Sequence, residues 1–257
     1  MIVALEDALD RERFGGKGAQ LAAALKAGLP VPGGFELSVE AVAKIAAGGT
    51  CQFAEGRWAV RSSAVDEDGA GASFAGQHLS LLHVDSTEVP GAVRKVHASA
   101  TTPGALAYRA RLGLPQVARM AVVVQRMVQA RVAGVMFTKN PTTGARELVI
   151  ESAWGLGEAV VMGLVTPDTF RLDRDGRLLE RRIGDKDLEI ARTTEGVEER
   201  PVEAARAQAA TLSDDALQRL VRLAHTLDAV FEGDHDVEWA IDEDDTLFLL
   251  QRRRITR

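Results

Sequence analysis

Two acids and two further polar groups near the C-terminus form the clearest chemical pattern in the chain. In His235-Asp236-Val237-Glu238-Trp239-Ala240-Ile241 the apolar Val237, Trp239 and Ile241 alternate with Asp236 and Glu238, so a strand puts both acids on one face. The acidic run 242–245 is a natural hairpin loop, and 246–251 is expected as the returning strand, with Leu247, Leu249, Gln251 and Arg253 on a common face. Pairing Ile241 with Thr246 places Asp236 opposite Gln251 and Glu238 opposite Leu249. Two carboxylates, an amide oxygen and a guanidinium in mutual reach suit a metal and phosphate. Magnesium takes one or two carboxylates together with phosphate oxygens, and arginine offers two parallel donors to a phosphate. The same residues could equally form a solvated sheet face with a surface ion pair, the commoner role of charged faces.

Two cations elsewhere admit similar readings. Gly15-Gly16-Lys17-Gly18 opens a run of strong helix formers, 19–27, that Gly28 closes. A helix start with an added ammonium favours an anion, although the spacing is not that of a P-loop and glycine-flanked lysines are common at helix starts. Arg61 ends a short strand, 58–61, just before Ser62-Ser63; it could pair with the acids at 66–68 or reach a phosphate. Gly155-Leu156-Gly157-Glu158 lacks the third glycine and the βαβ setting of a dinucleotide fingerprint. The five histidines show no paired metal spacing, and Cys51 has no setting that would make it a nucleophile.

The elements that must position these groups fall into two lobes with a boundary near Val128: an N-terminal lobe, 1–128, and a C-terminal lobe, 129–257. The first holds the glycine-rich helix start, the Arg61 strand and a polar loop at 64–77 whose three glycines, Gly69, Gly71 and Gly76, suggest a mobile flap. Runs 121–128 and 134–138 read as a hairpin turning at 130–133. The second lobe is expected to start as antiparallel sheet and to carry an amphipathic helix, 213–232, with Ser213 as its N-cap, before the hairpin 235–253.

Bulk properties narrow the partners. A net charge of −6 with scattered basic residues gives no reason to expect nucleic acid. The most apolar run, 121–124, is far shorter than the roughly 20 residues of a membrane span. The N-terminus has no export pattern and a single cysteine fits a reducing compartment, so the expectation is a cytoplasmic protein with no membrane partner.

Six ordered motifs together resemble the ATP-binding domain of the phosphoenolpyruvate synthase, pyruvate phosphate dikinase and rifampin phosphotransferase family. They are Gly15-Gly16-Lys17-Gly18-Ala19 with Gly28-Leu29-Pro30-Val31-Pro32-Gly33-Gly34-Phe35; Val60-Arg61-Ser62-Ser63-Ala64 running to Ser73-Phe74-Ala75-Gly76-Gln77; Val124-Gln125-Arg126-Met127-Val128; Gly134-Val135-Met136-Phe137-Thr138; Gly155-Leu156-Gly157-Glu158; and Asp236-Val237-Glu238-Trp239 with Leu250-Gln251-Arg252-Arg253. The resemblance implies an α+β, ATP-grasp-like fold of two lobes with ATP in the interlobe cleft and magnesium as cofactor. It also implies phosphate contacts from Lys17, Arg61 and Arg253, magnesium on Glu238 and Gln251 with Asp236 in support, adenine along Gln125, Arg126 and Met127, and a flap that excludes water from the phosphates. Lys139, before Asn140-Pro141, stands where the family usually has a small residue.

In that family ATP pyrophosphorylates a histidine on a separate swivelling domain, which carries the β-phosphate to a second active site, so the resemblance implies transfer of a phosphoryl or pyrophosphoryl group. No such histidine motif is expected here, so the chain would be the nucleotide half of an ATP-dependent phosphotransferase. Its acceptor would be a histidine on a partner domain or a small molecule. An ATP-grasp-like ligase forming an acyl phosphate, or a nucleotide-binding subunit without chemistry, are the competing expectations.

Overall fold

The computed structural model describes residues 1–66, 79–194 and 196–255. Their packing forms two compact units, residues 1–28 with 32–127 and residues 29–31 with 128–255. Both are mixtures of helix and antiparallel sheet, so the fold is α+β.

The first unit runs β1 (Ile2–Ala4), α1 (Arg11–Lys26), β2 (Gly34–Leu37), α2 (Val39–Ala46), β3 (Arg57–Ala64), β4 (Ser80–Asp85), α3 (Val89–Ser99), α4 (Pro103–Arg111) and β5 (Met120–Arg126). Its strands pair in the order β1-β2-β5-β3-β4, every pair antiparallel. Period-two alternation divides the sheet into two faces. Leu37, Trp58, Val60, Val122 and Val124 join the buried residues of α2 and α3 in one core. The opposite face carries Glu36, Arg61, Ser63 and Val123, and α1 lies against β3 and β5 there.

The second unit runs β6 (Ala130–Phe137), β7 (Leu148–Trp154), α5 (Glu158–Val161), β8 (Asp168–Leu172), β9 (Leu178–Arg182), β10 (Leu188–Arg192), β11 (Val197–Pro201), α6 (Ala204–Ala207), α7 (Asp214–Val230), β12 (His235–Asp242) and β13 (Leu247–Arg254). Six strands pair antiparallel in the order β13-β12-β6-β7-β8-β9, and β10 and β11 make a separate ribbon. One face of the six-stranded sheet is fully buried, with Val237, Trp239, Met136, Ile150 and Phe170 at 0% exposure. The other is half-open and carries Asp236, Glu238, Val135, Phe137 and Glu151. Ser213 caps α7 by accepting from the Ala216 amide, as its position before Asp214 and Asp215 predicts.

β5 and β6 do not form the expected hairpin. Residues 130–133 are not a turn but the first half of β6, and the two strands belong to different sheets. The apolar periodicity of both runs is real; what local patterning does not encode is that β5 finds its partners in β2 and β3, and β6 finds its own in β7 and β12. Most of the expected flap, 67–77, lies outside the described residues. Among the described residues no helix is long and apolar enough to cross a membrane.

The second unit is fastened by a buried ion pair. Lys186 Nζ lies 2.6 Å from Asp168 Oδ1, and both side chains are fully buried. Asp168 also accepts from the Gly184 amide and from the amide and hydroxyl of Thr211, so β8 is tied to the segments before β10 and α7. Removing one partner leaves a buried charge alone, which typically costs about 3–5 kcal/mol. Lys186→Met is therefore expected to destabilise the protein by about that amount in urea unfolding. Unchanged stability would show that the pair contributes nothing net.

Candidate functional site

In the first unit the glycine-rich turn is bolted to β3. The Ser63 hydroxyl donates to the Phe14 carbonyl at 2.7 Å and accepts from the Gly18 amide at 2.9 Å, so one buried side chain holds both ends of the turn. Gly15 has φ 74°, and a Cβ there would lie 2.0 Å from the Ser63 carbonyl oxygen. No other residue fits that left-handed, close-packed position. The helix is broken at Gly15 and resumes after it, which puts Lys17 in the first turn of the longer segment, where backbone N–H groups and the helix dipole favour an anion.

Register then brings the second cation to the same face. Arg61 pairs with Val123 and Val123 with Glu36, so Arg61 and Glu36 point toward the α1 side one strand apart. Lys17 and Arg61 are both buried. Glu36 is 0% exposed and packs on the Gly18 backbone, where a Cβ would meet its carboxylate at 2.7 Å. Burial holds its carboxyl well above the usual carboxylate range, and the Lys17 charge pulls the other way. Sequence reading passed Glu36 over. Phe35-Glu36-Leu37 alternates like a strand with its acid in water, and only α1 lying across that face buries it.

At the end of β5 the three residues expected along adenine take different settings. Gln125 is buried and donates from Nε2 to the Pro32 carbonyl at 3.3 Å. Arg126 is exposed, with its guanidinium 5.4 Å from the centre of the Trp58 ring. The Met127 amide donates to the Arg57 carbonyl, which carries the backbone past the edge of β3.

The second unit holds the acid hairpin, in a register that differs from the expected one. Ile241 pairs with Leu247 rather than Thr246, because Asp245 turns at φ 58° and the Asp242 carboxylate accepts from the Asp244 and Thr246 amides, lengthening the loop. A β-bulge then leaves Leu250 as an extra residue, so Glu238 pairs with Gln251 and Asp236 with Arg253. Leu247 and Leu249 accordingly lie with Ile241 and Trp239 on the buried face, and Gln251 and Arg253 on the half-open one. They do not share the common face that plain alternation predicts.

The four polar groups are thus two directly opposed pairs, Glu238 with Gln251 and Asp236 with Arg253, whose Cβ atoms are typically about 5 Å apart in such pairs. Val135 and Phe137 of β6 extend the two rows as an apolar floor. Behind the hairpin, Arg252 stacks 4.4 Å from the Phe231 ring centre and donates to His235 Nδ1 at 3.0 Å. Burial, then the Arg252 charge, lowers the His235 pKa to about 4, which keeps the imidazole a neutral acceptor. Lys139 pairs with Asp234 at 3.5 Å, at the base of β12.

The donor set fits magnesium chemically: a carboxylate and an amide oxygen side by side, with a second carboxylate adjacent. Among the described residues no three His, Cys, Asp or Glu side chains cluster tightly enough to cage an ion alone.

The pyruvate phosphate dikinase AMP/ATP-binding domain model matches residues 49–257 of the chain. The chain is a member of that family. Among curated relatives, a probable phosphoenolpyruvate synthase of Archaeoglobus fulgidus is 41% identical over 201 residues, 77% of this chain and 27% of that protein. The prodigiosin synthesizing transferase PigC of Serratia marcescens is 38% identical over 287 residues, 96% of this chain and 32% of its own length. A rifampicin phosphotransferase of Streptomyces sviceus is 40% identical over 203 residues, 77% of this chain and 23% of that one. The chain therefore spans about a quarter to a third of these relatives. The family model begins after Lys17, whereas the likeness to PigC covers almost the whole of this AMP/ATP-binding domain member.

Two outcomes follow for the first unit. Gly15→Ala, which combines a strained φ with a backbone clash, should destabilise the protein by at least about 3 kcal/mol in urea unfolding. Folded Glu36 keeps a proton that the unfolded chain releases near pH 4.3, roughly, so its contribution to stability falls as pH rises from there toward the folded midpoint. Glu36→Gln should remove that part of the slope, and matching pH–stability curves between about pH 5 and pH 8 for both proteins would contradict it.

Proposed function

We propose that this domain is the nucleotide-handling part of an ATP- and magnesium-dependent phosphotransferase. Lys17, Arg61 and Arg253 would contact the phosphates, Glu238 and Gln251 would hold magnesium with Asp236 in support, and Gln125, Arg126 and Met127 would line the adenine. The ATP-grasp-like arrangement, with ATP in the cleft between lobes 1–128 and 129–257, belongs to the same reading. The observation that carries it is the hairpin register: the bulge at Leu250 sets the amide of Gln251, itself buried, beside Glu238 and a guanidinium beside Asp236 on the half-open face. A solvated face needs no such irregularity, because regular pairing would leave Leu250 and Arg252 opposite the acids.

The chain's own groups have distinct tasks in this reading. Lys17 and Arg61 supply fixed positive charge where phosphate oxygens gain negative charge in the transition state, and their burial means little reorganisation is needed at that moment. Arg253 orients a phosphate through paired donors, and Asp236 opposite it restrains the guanidinium. Glu238 and Gln251 would hold the magnesium, and the chemistry it would supply there is neutralisation of phosphate charge. The acceptor would be a histidine on a partner domain or a small molecule. His235 is unsuited to that role, being fully buried and hydrogen-bonded to Arg252.

Glu238→Gln should weaken ATP binding in the presence of magnesium by roughly tenfold to a hundredfold, the range for losing a hydrogen bond or contact to a charged group. Binding without magnesium should be little changed, and titration calorimetry with and without the metal reads the difference. Equal effects in both conditions would remove Glu238 from the metal site. Phosphorus NMR of the turnover products then separates pyrophosphoryl transfer to a histidine, which leaves AMP, from transfer of the terminal phosphoryl group to a histidine, a small molecule or a carboxylate, which leaves ADP.

A further inference from the structure

Glu36 is an acid in a place arranged for anions. It sits at 0% exposure on the same sheet face as Arg61, against the helix turn that carries Lys17. Neither of its carboxylate oxygens has a hydrogen-bond partner among the described residues. A buried, unbonded carboxyl is costly to ionise, and what offsets that cost is nearby positive charge. The groups around it can be named element by element. α1 contributes Lys17 and the Gly18 backbone, β5 the apolar Val123, and β1 the apolar Val3. On β3, beyond Val123, lies Arg61, while Glu6 and Asp7 of the neighbouring turn Leu5–Asp7 are exposed to solvent.

We propose that Glu36 is a positioning residue for Lys17, whose ammonium eases ionisation of the Glu36 carboxyl in the nucleotide-free protein, and that Glu36 binds its proton more tightly when the phosphates of a nucleotide occupy the Lys17–Arg61 face. The proposal rests on the reading of Lys17 and Arg61 as phosphate contacts. Its physical basis is charge. A polyphosphate beside two cations takes over their compensation, and a carboxylate left in the same desolvated space then faces only like charge. Its proton affinity rises, so nucleotide binding and proton binding reinforce each other. No bond is made or broken; the proton comes from solvent and returns on release.

This linkage is measurable by titration calorimetry of a non-hydrolysable ATP analogue with magnesium, in two buffers of different ionisation enthalpy, at steps from about pH 6 to about pH 9. The wild-type protein should take up more protons than Glu36→Gln, by as much as about one per nucleotide at the pH of greatest difference. Its affinity should fall with rising pH by about tenfold more than that of the variant, the effect of roughly a one-unit shift. Equal uptake and parallel affinity profiles in the two proteins would overturn the proposal. A second arm needs no nucleotide and leaves Glu36 intact. The carboxyl carbon of Glu36, followed by NMR in wild type and in Lys17→Met, should titrate at higher pH once the ammonium is gone, and an unmoved midpoint would also overturn it. Loss of nucleotide binding in wild type and Glu36→Gln alike would instead count against the phosphate reading of the face, with the Lys17–Glu36 coupling still decided by the NMR titration.

Discussion

The placement of the glycine turn in the first unit depends on the hydroxyl of Ser63. It bonds to the chain before the glycine turn and to the amide after it, and it does so from a strand that also carries Arg61 two residues earlier. Because successive strand residues alternate faces, that spacing puts Arg61 and Ser63 on the same side. Fixing the turn to β3 thereby fixes the start of the helix over the arginine. The requirement for glycine at 15 is a result of this bolt: a turn pressed onto a strand backbone has no room for a side chain.

The two units solve the problem of placing charge in different ways. The first buries its cations, so their field is strong and their geometry rigid, and it must then accommodate the buried acid beside them. The second keeps its acids half-exposed on an open sheet face, where water can share the load, and makes the hairpin beneath them firm by the Arg252, Phe231 and His235 stack. In the function proposed above, cations that would meet phosphate gain from a dry setting, while carboxylates that would meet a hydrated metal do better near solvent.

Much of this was legible in the residues. The alternation of Asp236, Glu238, Val237 and Trp239 gave the strand and the face of its acids, and Ser213 with Asp214 and Asp215 gave the start of α7. What was not legible depended on tertiary partners. The pairing of β5 with β2 and β3 spans most of the first unit, and no local pattern distinguishes it from a hairpin with β6. The hairpin register hinged on the left-handed Asp245 and the extra Leu250, neither of which period-two counting can see. Glu36 was hidden for the same reason: its burial is a property of the helix above it and not of its neighbours in the chain.

The bulge at Leu250 also governs how this hairpin can change through evolution. Residues added within the loop 242–246 lengthen a solvent-exposed connection and leave every pair beyond it in place. Loss of one residue at the bulge is absorbed as well, for without Leu250 the residue after Leu249 is Gln251, which still pairs with Glu238 and keeps Arg253 opposite Asp236. A second loss in the same strand finds no spare residue, turns the rest of β13 over and sends Gln251 and Arg253 to the opposite side of the sheet. Two successive losses at 249–250 are therefore unequal events: the first keeps an amide and a guanidinium beside the acids, and the second replaces them with Arg252 and Arg254.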